Sequence, residues 1–406
     1  MYARHSCKTE KIMDSRLVWL AIGAFAVGTE AFVLSGLLPH VADDLLVNIA
    51  QAGYLITVFA LTYALLGPVV ATLTGDMERR RLLLAVLIVF VAANILAAAS
   101  PGFYSLMAAR ILLAVCCALY MAVANSVAVS LVEPERRGRA IAIVMGGVTI
   151  ATAAGVPIGT LIANYGGWRS TFAVIAAVGT IATIALWKNL PGGLHAPKIT
   201  MTERLSVATQ PRIVGTLLVT MLVMMAGFTL ITYIAPFATA AIGITQAGIP
   251  WVMLTFGIGA AFGNIIGGIA ADRFGAVVTI SCAIAGTIVT LLLLALTAKL
   301  MASGPGTTVV FHGLVFIWSL AGWATVPALS SRIAGFAPEA TAVGLSLNGS
   351  ALYLGAALGS ATGSLVLSYA SIEVLSLAGA SISVCALLAA FFFVRLHKEA
   401  PREALN

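Results

Sequence analysis

Two ionisable residues stand in surroundings that cannot solvate them. Glu30 is the single charge in VGTEAFVLSGLLP (27–39), and Arg110 opens the otherwise uncharged run RILLAVCCA (110–118). An ionisable side chain inside an apolar segment of membrane-spanning length is costly and marks a functional site by default. Glu30 falls about eight residues, and Arg110 about seven, from the same side of their segments. At 1.5 Å per residue both lie roughly 10–12 Å below that surface. A shared depth predicts a charge pair, direct or bridged by substrate or water. Burial disfavours an ionised carboxylate, and a nearby cation favours it. A carboxylate held between those effects can be ionised in one state and protonated in another. A proton and a cationic or polar substrate can then compete for it, as exchange requires. The other reading is a static pair bracing two segments.

The elements that must hold these residues follow from composition. The chain has 406 residues, 61% of them hydrophobic and 9% charged, with a mean hydropathy of +1.05. Soluble domains are about 25% charged, so most of this chain has lipid as its solvent. Apolar segments of spanning length fall near 17–38, 50–73, 82–100, 103–131, 140–163, 168–187, 213–237, 247–270, 276–298, 308–331, 341–367 and 373–394. Each must be a helix, because hydrocarbon offers no partner for open backbone groups. Twelve spans put both termini on one side. With that side cytoplasmic, 19 of the 22 basic residues fall inside, Arg169 and Lys299 fall outside, and Arg110 lies within a span. Such a bias sets orientation. The net charge of +7 is therefore a topology signal and points to no nucleic acid. The first apolar stretch reads as an uncleaved first span, with either Met1 or Met13 as the start.

The chain divides near its middle. A connection over 191–211 carries Pro191, Gly192, Gly193, Pro197 and Pro211. It separates an N-terminal six-helix bundle (1–190) from a C-terminal one (212–406). ATAAGVPIGTLIANY (151–165) aligns with GAALGSATGSLVLSY (355–369), so the halves are related. Repeated six-span halves suggest a transporter with its site near the midplane between them.

Other residues carry weaker signals. Tyr63, Asn125, Phe228, Tyr233, Trp323, Asn348 and Tyr353 are polar or aromatic positions within spans, read as cavity lining or as packing. The loop GDMERRR offers Asp76, Arg80 and Arg81, and the second half offers Asp272 and Arg273. These are a cytoplasmic gate of ion pairs, or solvated charge. Gly155, Pro157 and Gly159 let a helix pack closely and bend. His312 reads as a neutral, hydrogen-bonded group. The five cysteines read as reduced apolar fillers. No nucleotide-binding loop, metal-ligand spacing or hydrolase motif is present in the sequence, so no enzyme activity, cofactor or metal is expected.

These motifs resemble the major facilitator superfamily, in its twelve-span drug:proton antiporter branch, over essentially the whole chain. GTEAFVLSGLLP is similar to the first-span signature of the purine, arabinose and chloramphenicol exporters. Arg110 matches the fourth-span arginine of the superfamily, with Leu113 and Ala114 where glutamine and glycine are usual. GVTIATAAGVPIG resembles the fifth-span antiporter motif, and GGIAADRFG the inter-span motif. In the first-half copy of that motif Gly75 replaces aspartate and Glu78 replaces glycine. FALTYALLGP and SLNGSALYLGAALGSATGS look most like purine-base and nucleoside exporters. The resemblance implies an all-α membrane protein of two pseudo-symmetric six-helix bundles in a bacterial inner membrane, monomeric, with cytoplasmic termini. It implies proton-coupled export of small organic molecules, Glu30 taking the proton and Arg110 modulating it. The alternatives are an uncoupled facilitator and an arabinose-type sugar exporter.

Overall fold

The computed structural model describes residues 15–133, 136–195, 201–336 and 340–395. The alternative starts Met1 and Met13, Cys7 and the basic residues Lys398 and Arg402 lie outside the described residues. Among the described residues, twelve helices are long and apolar enough to cross a membrane. The first half holds Ser15–Asp44, Ile49–Leu73, Arg79–Ala98, Phe103–Ser130, Arg137–Gly166 and Trp168–Asn189. The second holds Pro211–Ile231, Gln246–Phe274, Ala276–Leu300, Pro305–Phe336, Val343–Tyr369 and Val374–Phe393. They are called spans 1 to 12 below. Between the halves a short helix, Met201–Ala208, sets Val207 against Ile213 and Val343.

Prolines shape the spans more than they end them. Pro39 does not close span 1, which continues to Asp44, because Val41 and Ala42 still have a core to enter. Pro157 lies just after a π-helical turn, Ala151–Gly155. The wider turn absorbs the ring that would otherwise strike the carbonyl four residues back. The segment expected over 213–237 is one helix only to Ile231. Pro236 cannot donate to Thr232, so the chain breaks there and restarts as Ile234–Phe237.

The repeated glycines do the same job in each half. Gly155 packs on Phe25 and Thr29 of span 1, and Gly159 on Val33 and Thr171. Their counterparts Gly359 and Gly363 pack on Met225, Phe228 and Thr229 of span 7 and on Tyr233 just after it. Small residues here let backbones approach where no hydrophobic drive separates helix from lipid.

The halves meet on the side away from the chain termini. The Ser364 hydroxyl of span 11 donates to the Ala50 carbonyl of span 2 at 2.8 Å, and Ser360 to Gly53 at 3.1 Å. Asn164 of span 5 donates to the Gln246 carbonyl at 3.3 Å. Gly257 of span 8 crosses span 5 at the π-helical turn, against the Thr152 carbonyl and Ala153 Cα. A Cβ at Gly257 would collide with that backbone, so this crossing needs glycine.

Candidate functional site

Glu30 is the sixteenth residue of a thirty-residue span. It lies deeper than its sequence position suggests, about 21 Å along the helix from Asp44. Both it and Arg110 are fully buried, at 0% exposure. Arg110 Nη1 donates to Glu30 Oε1 at 2.6 Å and to the Glu30 carbonyl at 3.1 Å. Its Nε donates to the Leu55 carbonyl at 3.5 Å. Its guanidinium carbon sits 4.1 Å over the Phe59 ring. Two atoms of the pair, Glu30 Oε2 and Arg110 Nη2, have no hydrogen-bond partner. The pair is direct, and it joins spans 1 and 4 at mid-membrane.

Beside the pair lies an aromatic seam. Tyr63 of span 2 and Tyr353 of span 11 stack across the halves, with centroids 3.6 Å apart and planes 17° from parallel. Tyr353 is within electrostatic reach of Arg110.

A cavity opens between span 1 and the second half. Its aromatic lining is Phe32, Phe228, Phe256, Trp318 and Trp323. Phe32 is the one lining residue from the first half, 6.2 Å from Phe228 and edge-on to Trp323 at 5.9 Å. Three hydroxyl side chains also line it, Thr287, Ser319 and Ser383, with no ionisable residue. Of the positions read from sequence as lining, Phe228 and Trp323 are here. Tyr233 is not: it is fully buried in the seam between halves, its hydroxyl donating to the Ser360 carbonyl at 2.9 Å. Asn348 is not: it accepts from Thr220 at 2.8 Å and donates to Ser330 at 3.2 Å, bracing the second half. Asn125 lies outside the cavity, and its buried Oδ1 has no partner. Phe32, Phe256 and Trp318 carry no sequence signal beyond being aromatic in a span.

The charged loops hold together within halves. Arg80 donates to the Trp187 carbonyl at 2.7 Å. Arg81 pairs with Glu78 at 3.1 Å, and Glu78 also accepts from the Gly193 amide at 2.8 Å. Asp76 is exposed, as are Asp272 and Arg273, the last lying 5.4 Å from the Phe274 ring. His312 shares a 2.8 Å hydrogen bond with Thr255. Two buried cations add to the pair expected from sequence. Arg332, one residue past the segment expected over 308–331, is 2% exposed inside span 10, and Arg79 is 9% exposed.

Two related six-helix bundles, a buried ion pair within the spans and a cavity between the halves define an integral-membrane carrier. The comparisons agree on the kind. The profile of the Major Facilitator Superfamily matches residues 20–216 and again 216–405. The chain belongs to that superfamily and is a multi-pass membrane transport protein, not an enzyme. It is 32% identical to the MFS-type transporter YbcL of Bacillus subtilis (strain 168), across 95% of this chain and 97% of that one. It is 32% identical to the inner membrane transport protein YdhP of Escherichia coli (strain K12), across 94% and 97%. It is 34% identical to a chloramphenicol resistance protein of Streptomyces lividans, across 86% and 88%. Its fold matches the crystal structure of a bacterial homolog of the human lysosomal transporter Spinster, in an inward-facing, unoccupied conformation. The TM-score there is 0.75 at 18% identity, covering 95% of this chain and 98% of that one.

Proposed function

We propose that this protein is a proton-driven exporter of small organic molecules, working by alternating access in a bacterial inner membrane with both termini in the cytoplasm. The observation that carries the reading is the Glu30–Arg110 pair. It is fully buried within the spans, yet each partner has one polar atom that no protein group matches. A purely structural ion pair in hydrocarbon gains by matching every such atom. This one is held incompletely, so a proton on Glu30 releases Arg110 to its carbonyl and Phe59 contacts at modest cost. The bundles 1–190 and 212–406 rock on the connection 191–211, as a monomer. The seam closed by Ser360, Ser364, Tyr233 and Gly257 is the outer gate. Asp76, Arg80, Arg81, Asp272 and Arg273 lie on the cytoplasmic side, where a gate of ion pairs forms when the inner side closes. The name of the Streptomyces relative supports export of a drug-like molecule, and that of YdhP supports the membrane assigned.

The test uses the full chain in liposomes with an imposed pH gradient. Substrate accumulation against its own gradient is expected only when the gradient is present, and Glu30→Gln abolishes that accumulation while leaving downhill exchange. Accumulation by Glu30→Gln at the unmutated rate would leave an uncoupled facilitator, or a different proton site, as the better account.

A further inference from the structure

The cavity and the carboxylate are separate places. Glu30 is fully buried and does not line the cavity, and the lining has no ionisable side chain. A cation entering it would shed water and find no counter-charge, which is strongly unfavourable in an apolar site. Aromatic rings can hold a cation when they offer their faces to it. Here Phe32 meets Trp323 edge-on at 63° and Phe256 tilts on Trp318 at 58°, so neighbouring rings already occupy part of these ring surfaces. That arrangement suits an inserted flat ring.

The polar groups narrow the choice further. A hydroxyl has one hydrogen and two lone pairs. Thr287 gives its hydrogen to the Ala283 carbonyl at 3.0 Å, Ser319 to Phe316 at 3.0 Å and Ser383 to Gly379 at 2.9 Å. All three hydrogens are spent within the residues' own helices. What remains for a ligand is lone pairs, so these three positions accept and do not donate.

We infer that the cavity binds a neutral aromatic molecule carrying at least one hydroxyl or amide N–H donor, and that it discriminates against lipophilic cations. The donor meets the accepting hydroxyls of Thr287, Ser319 or Ser383, and the ring lies among Phe32, Phe228 and Trp323. This rests on the cavity being the transport site, but not on proton coupling.

The experiment is a tryptophan-fluorescence titration of the purified full chain in detergent, with Trp318 and Trp323 as reporters. The probes are chloramphenicol (a neutral nitroarene with hydroxyl and amide donors), its O,N-permethylated derivative (the same ring with every hydroxyl and amide N–H blocked), tetraphenylphosphonium and arabinose. Chloramphenicol is expected to bind saturably, with a Kd at least tenfold below those of the other three. Trp323→Ala raises that Kd tenfold or more, and Trp323→Phe recovers most of it. Tetraphenylphosphonium or the methylated derivative binding as tightly as chloramphenicol overturns the assignment. So does the absence of saturable chloramphenicol binding, or an unchanged Kd in Trp323→Ala. The titration needs no gradient. Intact binding together with gradient-independent transport therefore sinks the proton-coupling reading and leaves the ligand class standing.

Discussion

Replacing Glu30 by glutamine separates a switchable pair from a rigid brace, and the structure sets the size of the effect. Glutamine keeps an oxygen for Arg110 but loses the charge. A hydrogen bond to a charged group contributes about 1.5–3 kcal/mol and a neutral one about 0.5–1.5, so the loss is about 1–2 kcal/mol. Arg110 keeps the Glu30 backbone carbonyl, the Leu55 carbonyl and the Phe59 face. Were those contacts worthless, a buried and uncompensated guanidinium would cost about 3–5 kcal/mol. At about 2–4 °C per kcal/mol for a unit of this size, the first case lowers Tm by about 2–8 °C and the second by about 6–20 °C. The ranges overlap, so the decisive comparison is Glu30→Gln with Glu30→Gln/Arg110→Met. Removing an arginine that is already compensated gains nothing and strands the glutamine. The double variant is therefore expected to melt no higher than the single one, by thermal unfolding in detergent. A double variant melting 8 °C or more above Glu30→Gln would show that Arg110 depends on the carboxylate alone, and the switch argument would fail.

Two further outcomes follow from the same geometry. Gly257→Val places a branched side chain against the Thr152 carbonyl, so the outer seam cannot shut. Transport is expected to fall at least tenfold in a folded protein, with a cysteine at Ser360 labelled faster from outside, whereas normal transport by this variant removes the seam from the cycle. Exchange of a neutral molecule for a proton moves net charge. Chloramphenicol accumulation in liposomes should then respond to membrane potential alone, by up to about fiftyfold per 100 mV for one charge at about 2.3 kcal/mol, and indifference to potential excludes that stoichiometry.

Much of this was readable from sequence, and the failures share a cause. The Glu30–Arg110 pairing was legible because a charge in a spanning segment needs a partner, and each is nearly alone at its depth. The depth itself was misjudged because Pro39 resembles a helix end. Its neighbours Val41 and Ala42 are apolar enough to carry the helix on to Asp44. Arg332 fell one residue past its expected segment for the same reason: span 10 runs to Phe336. The cavity was only half visible. Phe228 and Trp323 were singled out, but Phe32, Phe256 and Trp318 look like any aromatic packed in a helix until the bundle fixes which faces converge. Polarity misled at Tyr233 and Asn348, whose hydrogen bonds are met within the protein. Arg80 and, beyond its pair with Arg81, Glu78 are tied to backbone atoms of residues 187 and 193. Backbone groups have no residue identity, so no reading of residue types could have found them.

On the proposed proton-coupled cycle, the division between the halves bears on how ligand binding reaches the proton. Glu30 and Phe32 are two residues apart on one helix, about 200° around its axis. One side chain faces Arg110 in its own bundle, and the other enters a cavity built by the opposite bundle. A ligand that wedges between Phe32 and Trp323 need not touch the carboxylate. Helices are stiff at this length, and packed interfaces shift between discrete arrangements instead of deforming smoothly. A turn or tilt of span 1 that widens the cavity at Phe32 must also displace Glu30 from Arg110. The glycines facing span 1, Gly147, Gly155 and Gly159, present little side chain against it, so that motion meets a smooth surface on span 5. Coupling through span 1 then needs no competition for one site, and it lets a carrier exchange a neutral molecule for a proton that the molecule never meets.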